Sequence, residues 1–158
     1  MILTSLADRV VAQAPAKLNL FLELLGRRTD GYHELETLMV AITIFDTIVF
    51  TTTFEDQVRL TCSTSTGGRA QEVAMGDGAN LLGDVPSSGD NLVMRAVARL
   101  REASGVTAGA AILLIKRIPS AAGLGGASSD AATALLAANA AWPGGWPRAV
   151  LARRAGER

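Results

Sequence analysis

At 158 residues the chain is long enough for one domain with a real core and short for two. Hydrophobic residues at 49% and charged residues at 19% exclude a disordered chain. Lys plus Arg and Asp plus Glu balance at 15 each, so no basic excess calls for nucleic acid or an anionic membrane surface, and neither is predicted as a partner.

The opening, MILTSLADRVV, has no apolar run long enough for a signal peptide. The longest apolar tract, around Ala131 to Trp142, falls short of the roughly 20 residues of a membrane helix. With Cys62 the only cysteine, no internal disulfide forms, and a cytoplasmic location is predicted. Cys62 itself reads as a small buried side chain in a strand.

From Arg9 to Gly26 the residues alternate on either side of Pro15: Leu18, Leu20, Leu22 and Leu24 share one face, and Asn19, Phe21 and Glu23 the other, which predicts a strand. Lys17 lies just after the proline, which is expected to break the preceding pairing. Taken alone, a lysine there is a solvated charge. Arg27 to Leu35 carries the Asp-Gly signature of a turn between strands, together with the chain's only Tyr and only His, Tyr32 and His33. Taken alone, these are a ring over the core edge and a solvated imidazole.

Glu36 to Phe54 and Gln57 to Ser63 are rich in Val, Ile, Thr and Phe and predict antiparallel strands, with Asp46 and the pair Glu55 and Asp56 as breaks. Residues 64–90 are full of Gly, Ser and Asp without a sustained period and read as a long, mobile loop. Asp90 to Gly105 has a helix start at Asp90 or Asn91, apolar positions at helical spacing and Gly105 as a stop. Its arginines, Arg95, Arg99 and Arg101, read as a solvated face.

Ala110 to Ile118 is apolar and β-branched until it turns basic, as a buried strand approaching a site would be. Ser128 to Ala141 is an Ala-dominated helix former. Between them Gly123, Gly125 and Gly126 let main-chain N–H groups approach a ligand, at the positive end of the helix dipole. Ser128 and Ser129 stand at the expected helix start, one hydroxyl to cap the helix and the other for a phosphate oxygen or magnesium. The lysine of G-x-x-x-x-G-K-[ST] is missing, and Ser128 stands where G-x-G-x-x-G needs its last glycine. A Gly-rich corner that binds nothing is the plain alternative. Trp142 to Arg158 reads as a Pro/Gly turn and a short helical start from Pro147.

The run PSAAGLGGASSDAA resembles the second motif of the GHMP kinases, the superfamily of galactokinase, homoserine kinase and mevalonate kinase. Ala14 to Ile42, with PAKLNLFL and DGYHEL, resembles the opening of that superfamily's branch acting on 4-diphosphocytidyl-2-C-methyl-D-erythritol in non-mevalonate isoprenoid synthesis. The resemblance implies an α+β fold, a mainly antiparallel sheet with helices on one face in the two-layer manner of a ribosomal protein. It implies ATP as donor with magnesium, and ATP-dependent phosphorylation of the substrate's 2-hydroxyl. By resemblance Lys17 is catalytic, and Asn19, Tyr32 and His33 meet the cytidine-bearing substrate, a small molecule. ATP is held by Pro119, Ser120, Ala121, Ala122, Gly123, Leu124, Gly125, Gly126, Ala127, Ser128 and Ser129, with Asn91, Leu92 and Lys116 near the nucleotide and Ser129 a metal ligand.

Gly83 to Pro86 resembles the family's G-x-D-V-P segment, but it precedes the Gly-rich loop where the family's follows it, so Asp84 is assigned to a turn. The resemblance thus implies residues 1–158 as an amino-terminal nucleotide-binding domain, truncated before the catalytic aspartate segment and without the carboxy-terminal domain, impaired or inactive as a catalyst alone. Two alternatives stand beside it: a non-catalytic nucleotide-binding fragment, and another GHMP kinase of mevalonate or homoserine type.

Overall fold

The computed structural model describes residues 1–64 and 90–156, so the span 65–89, with Asp84, lies outside the described residues. In chain order the elements are β1 (Ile2–Ser5), β2 (Val10–Arg27), β3 (His33–Thr53), β4 (Val58–Thr64), α1 (Leu92–Ser104), β5 (Gly109–Lys116), α2 (Gly126–Ala141) and α3 (Arg148–Gly156). The strands form one sheet in the order β1-β2-β3-β5-β4. All neighbours are antiparallel except β4 and β5.

The sheet is mainly antiparallel, as expected, but that exception corrects the reading of Gln57 to Ser63 as an antiparallel strand. β4 does not pair with β3; β5 lies between them, paired antiparallel to β3 and parallel to β4. A parallel neighbour cannot be reached by a tight turn and needs a crossover. Here α1 lies on that crossover.

One face of the sheet is buried. Val10, Ala12 and Ala14 of β2, Asp46, Ile48 and Phe50 of β3, and Ala110, Ile112, Leu114 and Lys116 of β5 are all buried, two residues apart, as a period of 2 requires. α1 contributes Val93, Val97 and Leu100 and α2 contributes Ala134, Ala137 and Ala138 to the same core. The small side chains along β2 and α2 let that helix lie close on the sheet.

α1 follows the sequence signals closely. The Asn91 side chain accepts the Val93 N–H at 2.9 Å as N-cap, and Gly105 at φ 68° ends the helix. Pro15 does not break the pairing as the sequence predicts: β2 continues through it, and a register shift between Pro15 and Lys17 absorbs the irregularity. β1 pairs along β2 from Ile2 to Ser5, a strand with no sequence signal. Cys62 is half-buried rather than fully buried, with its thiol pKa pushed up by burial.

Beyond Lys17, β2 and β3 leave the other strands and run as a two-stranded ribbon, since β5 pairs with β3 only from Thr47 to Thr53. Leu20, Phe21, Leu24, Leu38 and Met39 are exposed on it. The ribbon turns at residues 28–32, where Gly31 has φ 87° and the Asp30 carboxylate accepts the Tyr32 N–H at 3.1 Å. Among the described residues no helix is long and apolar enough to cross a membrane.

Candidate functional site

β5 ends in a charged pair and passes into a loop that ordinary backbone angles cannot build. Ala121 at φ 59°, Gly123 at 73° and Gly125 at 71° lie in the left-handed region, alternating with residues that do not. Successive residues of opposite hand turn neighbouring N–H groups to one side, making a concavity for an anion. Glycine adopts these angles freely, whereas Ala121 carries about 1–2 kcal/mol of strain. Strain held at one residue of a loop marks a segment whose shape matters.

The loop then becomes the N-terminus of α2. The sequence places that start at Ser128, with a serine as cap. The helix instead begins at Gly126, because Gly125 takes the N-cap position in its left-handed conformation, and no side chain caps it. Ser128 and Ser129 therefore fall inside the first turn, where the Ser129 N–H donates to the Gly125 carbonyl at 3.0 Å. The N–H groups ahead of it have no partner within the helix and sit at the positive end of its dipole. A phosphate fits there.

The sheet fixes this loop from below. The Lys17 N–H donates to the Leu124 carbonyl at 2.9 Å, at the register shift of β2. A Cβ on Gly125 would lie 3.0 Å from Lys17 Cγ, and one on Gly126 would lie 3.0 Å from Ile118 Cγ2 and 3.2 Å from Lys116 Nζ. Only glycine lets the helix start rest on these side chains. A cavity of about 340 Å³ opens at the loop, lined by residues 119–128 with Asp90, Asn91, Leu92, Leu114, Lys116 and Asp130. That volume suits a small ligand.

Under the loop lies a buried ionic cluster. Lys116 Nζ donates to Asp46 Oδ2 and, at 2.7 Å, to Asp130 Oδ2, with all three side chains almost wholly buried. Asp46 Oδ1 also accepts the Arg117 N–H at 2.5 Å and the Ile118 N–H at 2.9 Å. Burial works against the ammonium of Lys116, but its bonds to Asp130 and Asp46 carry its pKa above the ordinary value. Burial pushes the Asp130 carboxyl up to about 7; the bond to Lys116 opposes the rise and the Asp46 charge adds to it. Asp130 Oδ1 is buried and has no hydrogen-bond partner among the described residues.

A carboxyl raised to about 7 in the fold and ordinary in the unfolded chain binds its proton more tightly when folded. Its contribution is complete below the unfolded value and is lost as pH rises through about 7. Urea midpoints should therefore fall from pH 5 to pH 8, by at most about 3 kcal/mol in stability from this group. Asp130→Asn should flatten that slope, and an unchanged slope would remove Asp130 as its source.

Asn91 and Leu92 meet the Gly-rich loop at one cavity, and Lys116 forms part of its floor. Lys17 is half-buried beside Gly125, its ammonium donating to Asn19 Oδ1 at 3.1 Å. Neither Lys17 nor Asn19 lines the cavity itself. Tyr32 and His33 stand exposed at the ribbon tip, apart from it. Sequence reasoning missed Asp46 and Asp130. The signal at Asp46 was an acid with strand formers on both sides and no Gly or Pro, which marks a paired buried charge better than a break. No sequence signal set Asp130 apart within its Ala-rich helix.

Comparison with known proteins adds to this geometry. The family described as "GHMP kinases N terminal domain" matches residues 91–157. The chain is 48% identical over 141 residues to a 4-diphosphocytidyl-2-C-methyl-D-erythritol kinase of Pseudomonas paraeruginosa, a match covering 89% of this chain and 43% of that protein. It is 43% identical over 149 residues to the Synechococcus sp. kinase of the same name, covering 94% and 43%. A crystal structure of 4-(cytidine 5'-diphospho)-2C-methyl-D-erythritol kinase superposes with a TM-score of 0.65 at 37% identity, covering 93% of this chain and 46% of that one. Homoserine kinase from Cytophaga hutchinsonii shares the fold, with a TM-score of 0.65 at 20% identity over 98% of this chain and 42% of that one. The chain thus spans less than half the length of the relatives it matches.

Proposed function

We propose that the chain is the amino-terminal part of a GHMP kinase and provides the ATP site of an enzyme that phosphorylates the 2-hydroxyl of 4-diphosphocytidyl-2-C-methyl-D-erythritol. The observation that carries the ATP site is the loop with alternating left-handed residues, running into a helix start that no side chain caps, at the mouth of the cavity. The N–H groups there hold the phosphates, Ser128 adds a hydroxyl, and Asn91 and Leu92 border the nucleoside. Phosphoryl transfer depends on positioning and on stabilising charge, which such a cradle supplies.

Lys17 is the catalytic group in this reading. Its aliphatic stem lies against Gly125, at the edge of the cradle, and from there its ammonium serves both the transferred phosphoryl group and the acceptor hydroxyl. Asn19 holds it by a hydrogen bond. Tyr32 and His33 recognise the cytidine by stacking and by polar contact. Magnesium fits as a companion of the triphosphate. Among the described residues no cluster of three acidic, His or Cys side chains could cage a metal; Ser129, in the first turn of α2 next to the cavity lining though not part of it, would bring one hydroxyl ligand. When bound, the ion supplies charge to the phosphoryl oxygens. The partners in this reading are small molecules, not nucleic acid or membrane, and the location is the cytoplasm.

ADP release with ATP and magnesium, run with and without the diphosphocytidyl substrate, tests the reading. Substrate-dependent release far slower than a complete kinase's, in keeping with a chain impaired as a catalyst alone, and lower still in Lys17→Ala, is the expected result. Saturable ATP binding without substrate-dependent release would favour a nucleotide-binding role alone. No ATP binding would overturn the site.

A further inference from the structure

The cluster under the loop points beyond ligand contact. Asp46 is fully buried on β3, far in sequence from the loop, and touches no part of the cavity surface. Its two oxygens nevertheless engage three groups at the point where β5 ends and the loop begins. One oxygen accepts the Arg117 and Ile118 N–H groups, the last donors before Pro119. The other accepts Lys116, which reaches on to Asp130 in α2, so one carboxylate links both ends of the loop to the sheet.

We propose that Asp46 is a positioning residue for the phosphate loop: it fixes the exit of β5 and, through Lys116, the first turns of α2, so that the loop N–H groups converge before a ligand arrives. The inference rests on the nucleotide reading above. Strand pairing does not do this work at the exit, because the β3–β5 ladder ends at Thr47 and Ile115 and the β4–β5 ladder at Lys116. Past that point Asp46 replaces the missing strand partner for two consecutive N–H groups. A buried carboxylate with three donors is held rigidly, and its low-dielectric setting strengthens each bond. Pre-organisation of this kind raises affinity without any contact to the ligand.

The test compares the parent chain with Asp46→Asn and Asp46→Ala. Either change leaves Lys116 with Asp130, a balanced pair in place of two carboxylates on one ammonium, so the core stays charge-compensated. Asn keeps one acceptor and Ala keeps none; if Ala does not fold, Asn carries the test. Calorimetric titration with MgATP should show affinity weakened about tenfold in Asp46→Asn, the scale of losing one charged hydrogen bond. Amide exchange without nucleotide should rise at residues 117–128 and at Lys17, whose N–H donates to the loop, and stay unchanged in β1, the rest of β2 and α1. ATP affinity equal to the parent's, or faster exchange spread evenly over the sheet, would overturn the positioning role. Failure of the parent itself to bind ATP would overturn the nucleotide reading and this role with it; a loss confined to the variants separates the two.

Discussion

Replacing Lys116 with methionine is expected to destabilise the fold by about 3–5 kcal/mol at pH 8, the scale seen when one partner of a buried ion pair is removed. The stem of methionine occupies similar space, so packing changes little and the effect is electrostatic. Without the ammonium, Asp46 and Asp130 face each other across the core with no cation, and two carboxylates so placed cannot both ionise cheaply. The sign with pH follows. The Asp130 carboxyl, already raised to about 7, is pushed further up once the ammonium is gone, so the loss grows as pH rises and shrinks as pH falls. Urea unfolding at pH 5 and pH 8 should show the variant recovering much of its deficit at the lower pH. A deficit equal at both pH values would mean that Lys116 stabilises by packing, and the cluster would lose its electrostatic role. The same variant should also weaken ATP binding, because Lys116 joins the two ends of the loop. That coupling of stability to site geometry is what a strut predicts and a surface lysine does not.

Local rules made much of this fold legible. The cap at Asn91 and the stop at Gly105 are side-chain and backbone chemistry confined to a few residues, and the helix between them has the boundaries they dictate. The Gly-rich loop was legible for the same reason, since its angles are ones that few residues other than glycine accept. What the chain order hid was long-range. The placing of β5 between β3 and β4 depends on which strands meet, and no residue in β4 signals a parallel neighbour. The helix start moved from Ser128 to Gly126 because a left-handed Gly125 competes with serine as a cap, and tertiary contact with Ile118 and Lys116 decides the contest. Asp46 and Asp130 were missed because their meaning lies in Lys116, 70 residues from one and 14 from the other. The leucines of β2 gave the strand its alternation but could not tell that the ribbon they form stands clear of the core.

Phe50→Ala is expected to cost about 3–5 kcal/mol, as large-to-small changes at buried aromatics do. Phe50 is wholly buried near the C-terminal end of β3, paired with Val10 on one side and Ile112 on the other. Its ring meets Trp142 edge to face, with centroids 5.3 Å apart and planes at 83°. Such a pair adds roughly 0.5–1.5 kcal/mol to the area buried. Trp142 caps the C-terminal end of α2, so the cavity left by Phe50 opens at the far end of the helix from the phosphate loop. The consequence is separable from that of Lys116→Met. Phe50→Ala should lower the urea midpoint as severely, yet below the transition it should bind MgATP with an affinity close to the parent's, because the cluster that fixes the loop is untouched. The second, independent measure is Trp fluorescence, which should shift as Trp142 loses the ring against it. If ATP affinity falls in proportion to stability in both variants, loop geometry depends on the whole core and the cluster has no separate hold on it. If it falls only in Lys116→Met, the two ends of α2 are distinct: one anchors the helix to the sheet, and the other sets the loop.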